Sequence, residues 1–224
     1  AILFGVFLLM GVYEFCKIAS LNFFISLPVA AISYYFLWNK SQNFTIKTII
    51  VSLSIIISIK LLLYLFNTQK TNFKIATRYL LLIGYIIIPF VITNYVAIGK
   101  NGYNPKILIS ILILIWANDT FAYLVGKNFG KNKLFPSVSP KKTIEGFVGG
   151  MFFTIISSVL LSKFYIESNI LYIWIIIAII VSIFSTLGDL IQSKFKRVAG
   201  IKDSGKIMPG HGGILDRLDS IIFV

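Results

Sequence analysis

The chain has 224 residues, of which 57% are apolar and 13% are charged, and its formal net charge is +13. Soluble domains contain about 25% charged residues, so this composition excludes an ordinary soluble domain and predicts an integral membrane protein with the lipid bilayer as its solvent. The positive charge does not indicate a nucleic-acid partner, because the basic residues flank apolar segments and no groove-reading motif is present. A single cysteine excludes an intrachain disulfide.

Apolar segments separated by polar stretches predict membrane-spanning helices along the chain. A span needs about 20 apolar residues to cross roughly 30 Å of hydrocarbon. We therefore expect an all-α, polytopic helical bundle with about eight spans in this sequence. The predicted spans are 1–18, 22–38, 49–66, 77–98, 106–125, 143–162 and 170–191, with a truncated eighth starting near 215.

Two predicted loops, 126–142 and 192–214, are long, basic and rich in glycine and proline. Fourteen Lys and Arg residues fall on the face that carries these loops, and five fall on the other face. Cytoplasmic loops carry the excess of basic residues in membrane proteins. The asymmetry predicts that both long loops face the cytoplasm.

Carboxylates inside predicted spans need an explanation, because a lone one costs roughly 2.5 to 3.5 kcal/mol on insertion scales. Glu14 and Lys17, three residues apart, are interpreted as a structural pair on one helix face. Asp119 is interpreted either as a buried hydrogen bond between helices or as part of an active-site cavity. Asp189 lies between Gly188 and a cationic loop, which favours a functional role.

The loop 126–142 combines glycine and lysine in a way that suits phosphate. Ser139 and Pro140 are interpreted as the N-cap and first position of the next span. Lys141 and Lys142 would then flank a helix N-terminus, which is a ready anion site. The alternative is an anchor on lipid headgroups. A P-loop is excluded by motif, since no GxxxxGK[ST] sequence occurs.

The segment 193–219 carries cations, glycines and then acids. Lys196, Arg197 and Lys202 can neutralise phosphate oxygens, and the glycines near position 211 let a backbone approach phosphate closely. His211 lies between these glycines and is interpreted equally as a base or as a hydrogen-bond donor. Each feature suits the binding of a polyphosphate.

Asp216 and Asp219 are three residues apart, so both carboxylates emerge from one face if a helix begins at Leu215. Such hard oxygen ligands suit Mg²⁺, which takes one or two protein carboxylates and completes its shell with water and substrate phosphate. The alternative is that the acids balance Arg217 and the basic loop. Zinc is not expected, because one Cys and one His remote in sequence do not form its usual ligand set.

The segment 193–219 resembles the signature of phosphatidate cytidylyltransferases. Met208 is one departure, and it keeps the position apolar. The stretch 119–146, with SPKKTxEG at 139–146, is similar to the second characteristic stretch of that family. The matching positions of the signature are Ser193, Lys196, Arg197, Lys202, Asp203, Gly205, Pro209, His211, Gly212, Gly213, Asp216, Arg217 and Asp219.

The resemblance implies a membrane enzyme of phospholipid biosynthesis that joins CTP and phosphatidic acid into CDP-diacylglycerol and releases pyrophosphate. It implies transmembrane helices at 1–105 and a catalytic transmembrane region at 106–224, in a bacterial inner membrane. Two alternatives stand beside it. One is a related CTP-dependent lipid enzyme, either a polyprenol kinase or an ether-lipid cytidylyltransferase, and the other is an anion transporter.

The resemblance also implies the roles of individual residues. Mg²⁺ is the expected cofactor, with a further cation and a homodimer left open. The expected metal ligands are Asp189, Asp216 and Asp219. The expected catalytic residues are Asp189, Lys202, Asp203, His211, Asp216 and Arg217. The expected substrate-binding residues are Asp119, Ser139, Lys141, Lys142, Lys196, Arg197, Gly212 and Gly213.

Overall fold

The computed structural model describes residues 2–40, 43–67, 73–99, 102–167, 170–205 and 212–224. These residues fold almost entirely into helices. The α-helices are α1 (Ile2–Ala19), α2 (Phe23–Lys40), α3 (Phe44–Phe66), α4 (Ile75–Leu81), α5 (Ile88–Val96), α6 (Pro105–Phe129), α7 (Ile144–Leu161), α8 (Leu171–Val198) and α9 (Leu215–Phe223). Leu82–Ile87, between α4 and α5, and Ser162–Ile166, after α7, are π-helical.

Six helical segments are long and apolar enough to cross a membrane, which confirms the prediction of an all-α polytopic membrane protein. The apolar helix α2, counted over Phe23–Asn39, falls just short of these six segments in length, and the nine-residue α9 is too short to cross by itself. The six segments are Ile2–Ala19, Phe44–Phe66, Ile75–Val96, Pro105–Phe129, Ile144–Ile166 and Leu171–Val198.

Two predicted boundaries are wrong for identifiable reasons. The third helix begins at Phe44 rather than 49, because the Asn43 side chain caps it by accepting a hydrogen bond from the N–H of Thr45 at 2.9 Å. The helix α8 runs on to Val198, so that the first residues of the predicted loop 192–214 are helical. Lys196 and Arg197 therefore project from a helix end rather than from a loop.

Contacts divide the chain into two compact units. The first comprises residues 1–95 and 191–223, and the second comprises residues 96–190 with Val224. The division falls within α8, between Leu190 and Ile191. The proposed functional regions 1–105 and 106–224 stay a prediction.

The first unit has an aromatic core around Phe195 of α8. The Phe195 ring stacks on Tyr64 with centroids 5.2 Å apart and meets Phe15 edge-on at 6.1 Å. The neighbouring Lys194 donates hydrogen bonds to the carbonyls of Tyr64, Leu65 and Asn67. The last carbonyls of a helix have no partner within it, so Lys194 ties the end of α8 to the end of α3.

In the second unit, α6 and α7 pack closely through small residues. Gly146 and Gly150 lie four apart on α7, against Ala122 of α6. A Cβ added at Gly146 would lie 2.6 Å from the Ala122 carbonyl oxygen, and one added at Gly150 would lie 2.9 Å from the Ala122 Cβ. Small residues at this spacing allow membrane helices to approach until their backbones touch.

A β-hairpin precedes α7 and contradicts the predicted helix start. Strand β3 (Lys133–Phe135) pairs antiparallel with β4 (Ser139–Thr143), with Phe135 opposite Ser139. The interpretation of Ser139 and Pro140 as N-cap and first helical position is wrong, because this segment is extended and pairs with β3. Thr143 is the cap instead, and its hydroxyl accepts a hydrogen bond from the N–H of Gly146 at 3.1 Å. A second hairpin joins β1 (Ile98–Gly99) and β2 (Gly102–Tyr103).

Candidate active site

In the first unit, Asp216 lies at the start of α9 and contacts other residues of the signature segment 193–219. Its Oδ1 lies 2.7 Å from Lys196 Nζ, and the two side chains are 11% and 10% exposed. Its Oδ2 accepts hydrogen bonds from the backbone N–H of Ser204 at 2.8 Å and of Gly213 at 2.9 Å. Asp216 therefore joins the two ends of the segment 204–213.

These contacts also set the charge state of Asp216. Burial alone would raise the pKa of the carboxyl. The hydrogen bonds from Lys196, Gly213 and Ser204, together with the charge of Lys196, outweigh burial and hold the pKa below its ordinary value. The Asp216 side chain is therefore an anion at neutral pH, as a metal ligand must be.

A second carboxylate holds the same segment, and sequence reasoning missed it. Glu14 of α1 is completely buried, and it accepts hydrogen bonds from the Ser204 hydroxyl at 2.7 Å and from the backbone N–H groups of Ile214 and Leu215 at 2.9 Å each. The interpretation of Glu14 and Lys17 as a pair is wrong. The Lys17 ammonium instead lies over the Tyr13 ring, 4.1 Å from its centroid.

In the second unit, the β3–β4 hairpin brings a lysine to Asp189. Lys142 Nζ lies 2.6 Å from Asp189 Oδ2. Successive side chains of a strand point to opposite faces, which is why Lys142 is half-buried while Lys141 is exposed. The sequence predicted the same substrate-binding role for Lys141 and Lys142. Of these two lysines, only Lys142 reaches a predicted catalytic residue among the described contacts.

Glu145 fixes the start of this hairpin. Its carboxylate accepts hydrogen bonds from the backbone N–H of Lys131 at 3.1 Å and from the backbone and side-chain amides of Asn132. Since Glu145 stands in the first turn of α7, the hairpin is anchored to the same helix that Thr143 caps. Together with the pairing of β3 and β4, these contacts hold the strand that carries Lys142.

Asp119 lies on α6 next to a buried polar contact. Asn118 donates a hydrogen bond to the hydroxyl of Ser185 on α8 at 3.0 Å, and Asp119 itself is exposed on the protein surface. The interhelical hydrogen bond that was one interpretation of Asp119 is thus made by Asn118. The role of Asp119 in substrate binding stays a prediction.

The remaining predicted residues of the signature segment differ in their exposure. Lys202, Asp203, Arg197 and Arg217 are exposed. Asp219 is buried, and its Oδ1 accepts a hydrogen bond from the N–H of Ser220 at 2.7 Å. Gly212 has a φ of 85°, in the region that favours glycine. His211 lies outside the described residues.

The carboxylate oxygens of Asp216 fit the Mg²⁺ that the resemblance implies. A carboxylate offers about four acceptor positions, and the contacts above use one at Oδ1 and two at Oδ2. Counting the contacts among the described residues, Oδ1 therefore keeps a position for a metal. No group of three His, Cys, Asp or Glu side chains forms within the described ranges, but Mg²⁺ needs only one or two carboxylates when substrate phosphate supplies other ligands.

Comparisons with known proteins agree with the resemblance. The sequence matches the cytidylyltransferase family over residues 1–224. The phosphatidate cytidylyltransferase of Staphylococcus haemolyticus is 40% identical over 184 residues, and that of Staphylococcus aureus strain COL is 42% identical over 185 residues. Each alignment covers 82% of this chain and 67% of the relative. The Staphylococcus saprophyticus enzyme of the same name is 44% identical over 159 residues, or 70% of this chain and 59% of the relative.

The family match spans the whole chain. The relatives align with most of it, including residues that precede the matched motifs. The chain therefore belongs to the cytidylyltransferase family and is a membrane-bound nucleotidyltransferase.

Proposed function

We propose that the chain transfers the cytidylyl group of CTP to phosphatidic acid, forming CDP-diacylglycerol and pyrophosphate. One observation carries the proposal. Two of the expected metal ligands, Asp189 and Asp216, each form an ion pair with an expected substrate-binding lysine, Lys142 and Lys196 respectively. In each pair, the carboxylate can offer anionic oxygens to a metal, and the lysine can offer a cation to phosphate oxygens.

The reaction needs positioning more than proton transfer. A phosphate oxygen of phosphatidic acid attacks the α-phosphorus of CTP, a new P–O bond forms, and the bond from the α-phosphorus to pyrophosphate breaks. The attacking phosphate is already an anion, so no strong base is required. Catalysis can rest on aligning the two phosphates and on stabilising the negative charge that gathers on the leaving group.

The residues of the chain divide these tasks. Asp189, Asp216 and Asp219 would hold Mg²⁺, which when bound neutralises charge on phosphate oxygens. Lys142 and Lys196 would each exchange the carboxylate partner for a phosphate oxygen when substrate binds. Basic and polar groups of the signature segment and of the hairpin would complete the contacts to CTP, namely Lys202, Arg217, Arg197, Lys141, Ser139, the Gly212 and Gly213 backbone, Asp203 and His211.

We infer the location of the site from the distribution of basic residues. The excess of basic residues beside the long loops supports a site on the cytoplasmic face of a bacterial inner membrane, where CTP reaches the loops and phosphatidic acid reaches the helices. A homodimer and a second cation stay predictions.

The test is product analysis with purified protein in liposomes that contain phosphatidic acid. We expect CDP-diacylglycerol and pyrophosphate in equal amounts when CTP and Mg²⁺ are added, and neither without Mg²⁺. Release of CDP with a newly phosphorylated lipid would identify a kinase instead. Transport of an anion across the liposome without product formation would identify a transporter.

A further inference from the structure

A buried carboxylate that is far from the motifs in sequence accepts hydrogen bonds from the signature segment, residues 193–219. Glu14 is completely buried in α1, where a charged side chain without partners is costly. Its partners are the Ser204 hydroxyl and the N–H groups of Ile214 and Leu215. Among the described residues, no Lys or Arg forms an ion pair with Glu14. Its carboxylate oxygens are therefore satisfied by these donors, at the positive N-terminal end of α9.

The backbone around Glu14 is shaped to admit it. A Cβ added at Gly205 or at Gly213 would collide with the Glu14 carboxylate. Both glycines belong to the signature, and Gly213 was interpreted as allowing close approach to phosphate. At these two positions the group that the backbone approaches is the Glu14 side chain, which gives a different reason for the absence of a side chain there.

Glu14 and Asp216 hold the same two pieces of backbone. Ser204 gives its N–H to Asp216 and its hydroxyl to Glu14. On the other side of the segment, Gly213 gives its N–H to Asp216, and Ile214 and Leu215 give theirs to Glu14. The position of the Asp216 carboxylate thus depends on backbone groups that the hydrogen bonds to Glu14 hold in place.

We infer that Glu14 is a positioning residue, which fixes the backbone at Ser204, Ile214 and Leu215 so that Asp216 presents Oδ1 to the metal–CTP complex. This inference rests on the proposed function for the identity of the ligand. In this role Glu14 itself would contact neither substrate nor metal. Partners of metal-binding carboxylates typically change metal affinity or activity by about 10- to 100-fold when they are replaced.

The test compares purified wild-type protein with Glu14→Gln, Ser204→Ala and Lys17→Gln. A glutamine has nearly the same size but only one acceptor oxygen, so it cannot hold donors on both sides of the carboxylate. Ser204→Ala removes one donor and keeps Glu14. Lys17, one turn along α1, is exposed and contacts Tyr13, and it serves as the matched control. Mn²⁺ binding is titrated by electron paramagnetic resonance with and without CTP, and kcat and KM for CTP are measured at several Mg²⁺ concentrations.

For Glu14→Gln we expect Mn²⁺ to bind about tenfold more weakly or worse, with kcat partly restored at high Mg²⁺. Ser204→Ala should change in the same direction by less, and Lys17→Gln should match wild type. The inference is overturned if folded Glu14→Gln binds Mn²⁺ like wild type, or if wild type itself binds none. If Glu14→Gln does not fold, Ser204→Ala decides by the same criterion. A wild-type protein that binds Mn²⁺ but makes no CDP-diacylglycerol would refute the proposed function and leave the Glu14 comparison valid.

Discussion

Lys142 Nζ lies 2.6 Å from Asp189 Oδ2, and the two side chains remain 26% and 32% exposed. The pair joins the SPKKTxEG stretch to the Asp189 region of α8 within the second unit. The first unit carries an equivalent pair, Lys196 and Asp216, which is less exposed. A more exposed pair is easier for an incoming phosphate to separate, because less of its surroundings has to rearrange.

Replacing Lys142 tests this pair. We expect Lys142→Ala to reduce turnover about 10²-fold or more, which is the scale for losing one preorganised donor to a developing negative charge. Lys131→Ala, in the same hairpin region but exposed and outside any described ion pair, should change turnover far less. Steady-state CDP-diacylglycerol synthesis in liposomes measures both. Equal losses would mean that general positive charge, and not this pair, handles CTP.

Asp216→Asn should abolish nearly all turnover, since it removes the charge of a proposed metal ligand without changing its volume. Synthesis of CDP-diacylglycerol measures the loss, and thermal unfolding in detergent checks that the variant is folded. Asparagine also brings an amide donor towards Lys196 and two backbone N–H groups, so a lower Tm is expected as well. A folded variant with full activity would remove Asp216 from the metal site.

Lys196→Met should have opposite effects on metal binding and on catalysis. The ammonium occupies one acceptor position of Asp216 Oδ1 and repels a divalent cation. Without it, Mn²⁺ should bind more tightly in the absence of CTP, while turnover falls because a cation for phosphate is lost. Paramagnetic resonance titration and steady-state kinetics give the two signs. Weaker Mn²⁺ binding in a folded variant would contradict this account.

Gly146→Ala should lower the stability of the second unit. The new Cβ would lie 2.6 Å from the Ala122 carbonyl oxygen, and a backbone carbonyl yields only if α6 and α7 separate. Overpacking of this kind costs about 1 to 3 kcal/mol. Gly5→Ala in α1 is the control, because its Cβ would meet only Tyr34 at 3.5 Å. Alanine in an open helical position gains about 0.5 to 1 kcal/mol, so the Tm values should move in opposite directions.

Thr143→Ala should destabilise α7 by about 1 kcal/mol through loss of its N-cap, and Thr143→Ser should restore most of the loss. Ser139→Ala should have a smaller effect on Tm, because Ser139 lies in β4 and caps no helix. Thermal unfolding of the three variants decides between the two candidate caps. A larger loss from Ser139→Ala would return the helix start to the position expected from the sequence.

The membrane helices were predictable because hydropathy over about 20 residues is a strong local signal. The start of α7 was not, although the residues SP before a helical segment are a typical start signal. The competing factor is the pairing of β4 with β3, which keeps Ser139 extended. A hairpin of three-residue and five-residue strands leaves little periodicity in the sequence.

Glu14 was missed for a different reason. Its partners lie 190 to 201 residues further along the chain, so no local pattern connects them. A signal was present, since a carboxylate within a membrane span usually has a partner or a function. The nearby Lys17 offered a local partner and hid that signal. Lys142 and Asp189 were both predicted from the family motifs, but their ion pair requires the hairpin, which the sequence did not show.

The contact between Glu14 and Ser204 has a consequence for how the protein is made. Ribosomes add about 5 to 20 residues per second, so the 190 residues between them separate their synthesis by roughly 10 to 40 s. During that interval α1 has to enter the bilayer with a carboxylate whose donors do not yet exist. Insertion and quality-control machinery therefore meets this helix in its least favourable state, until Ser204, Ile214 and Leu215 have been synthesised and can donate to the carboxylate.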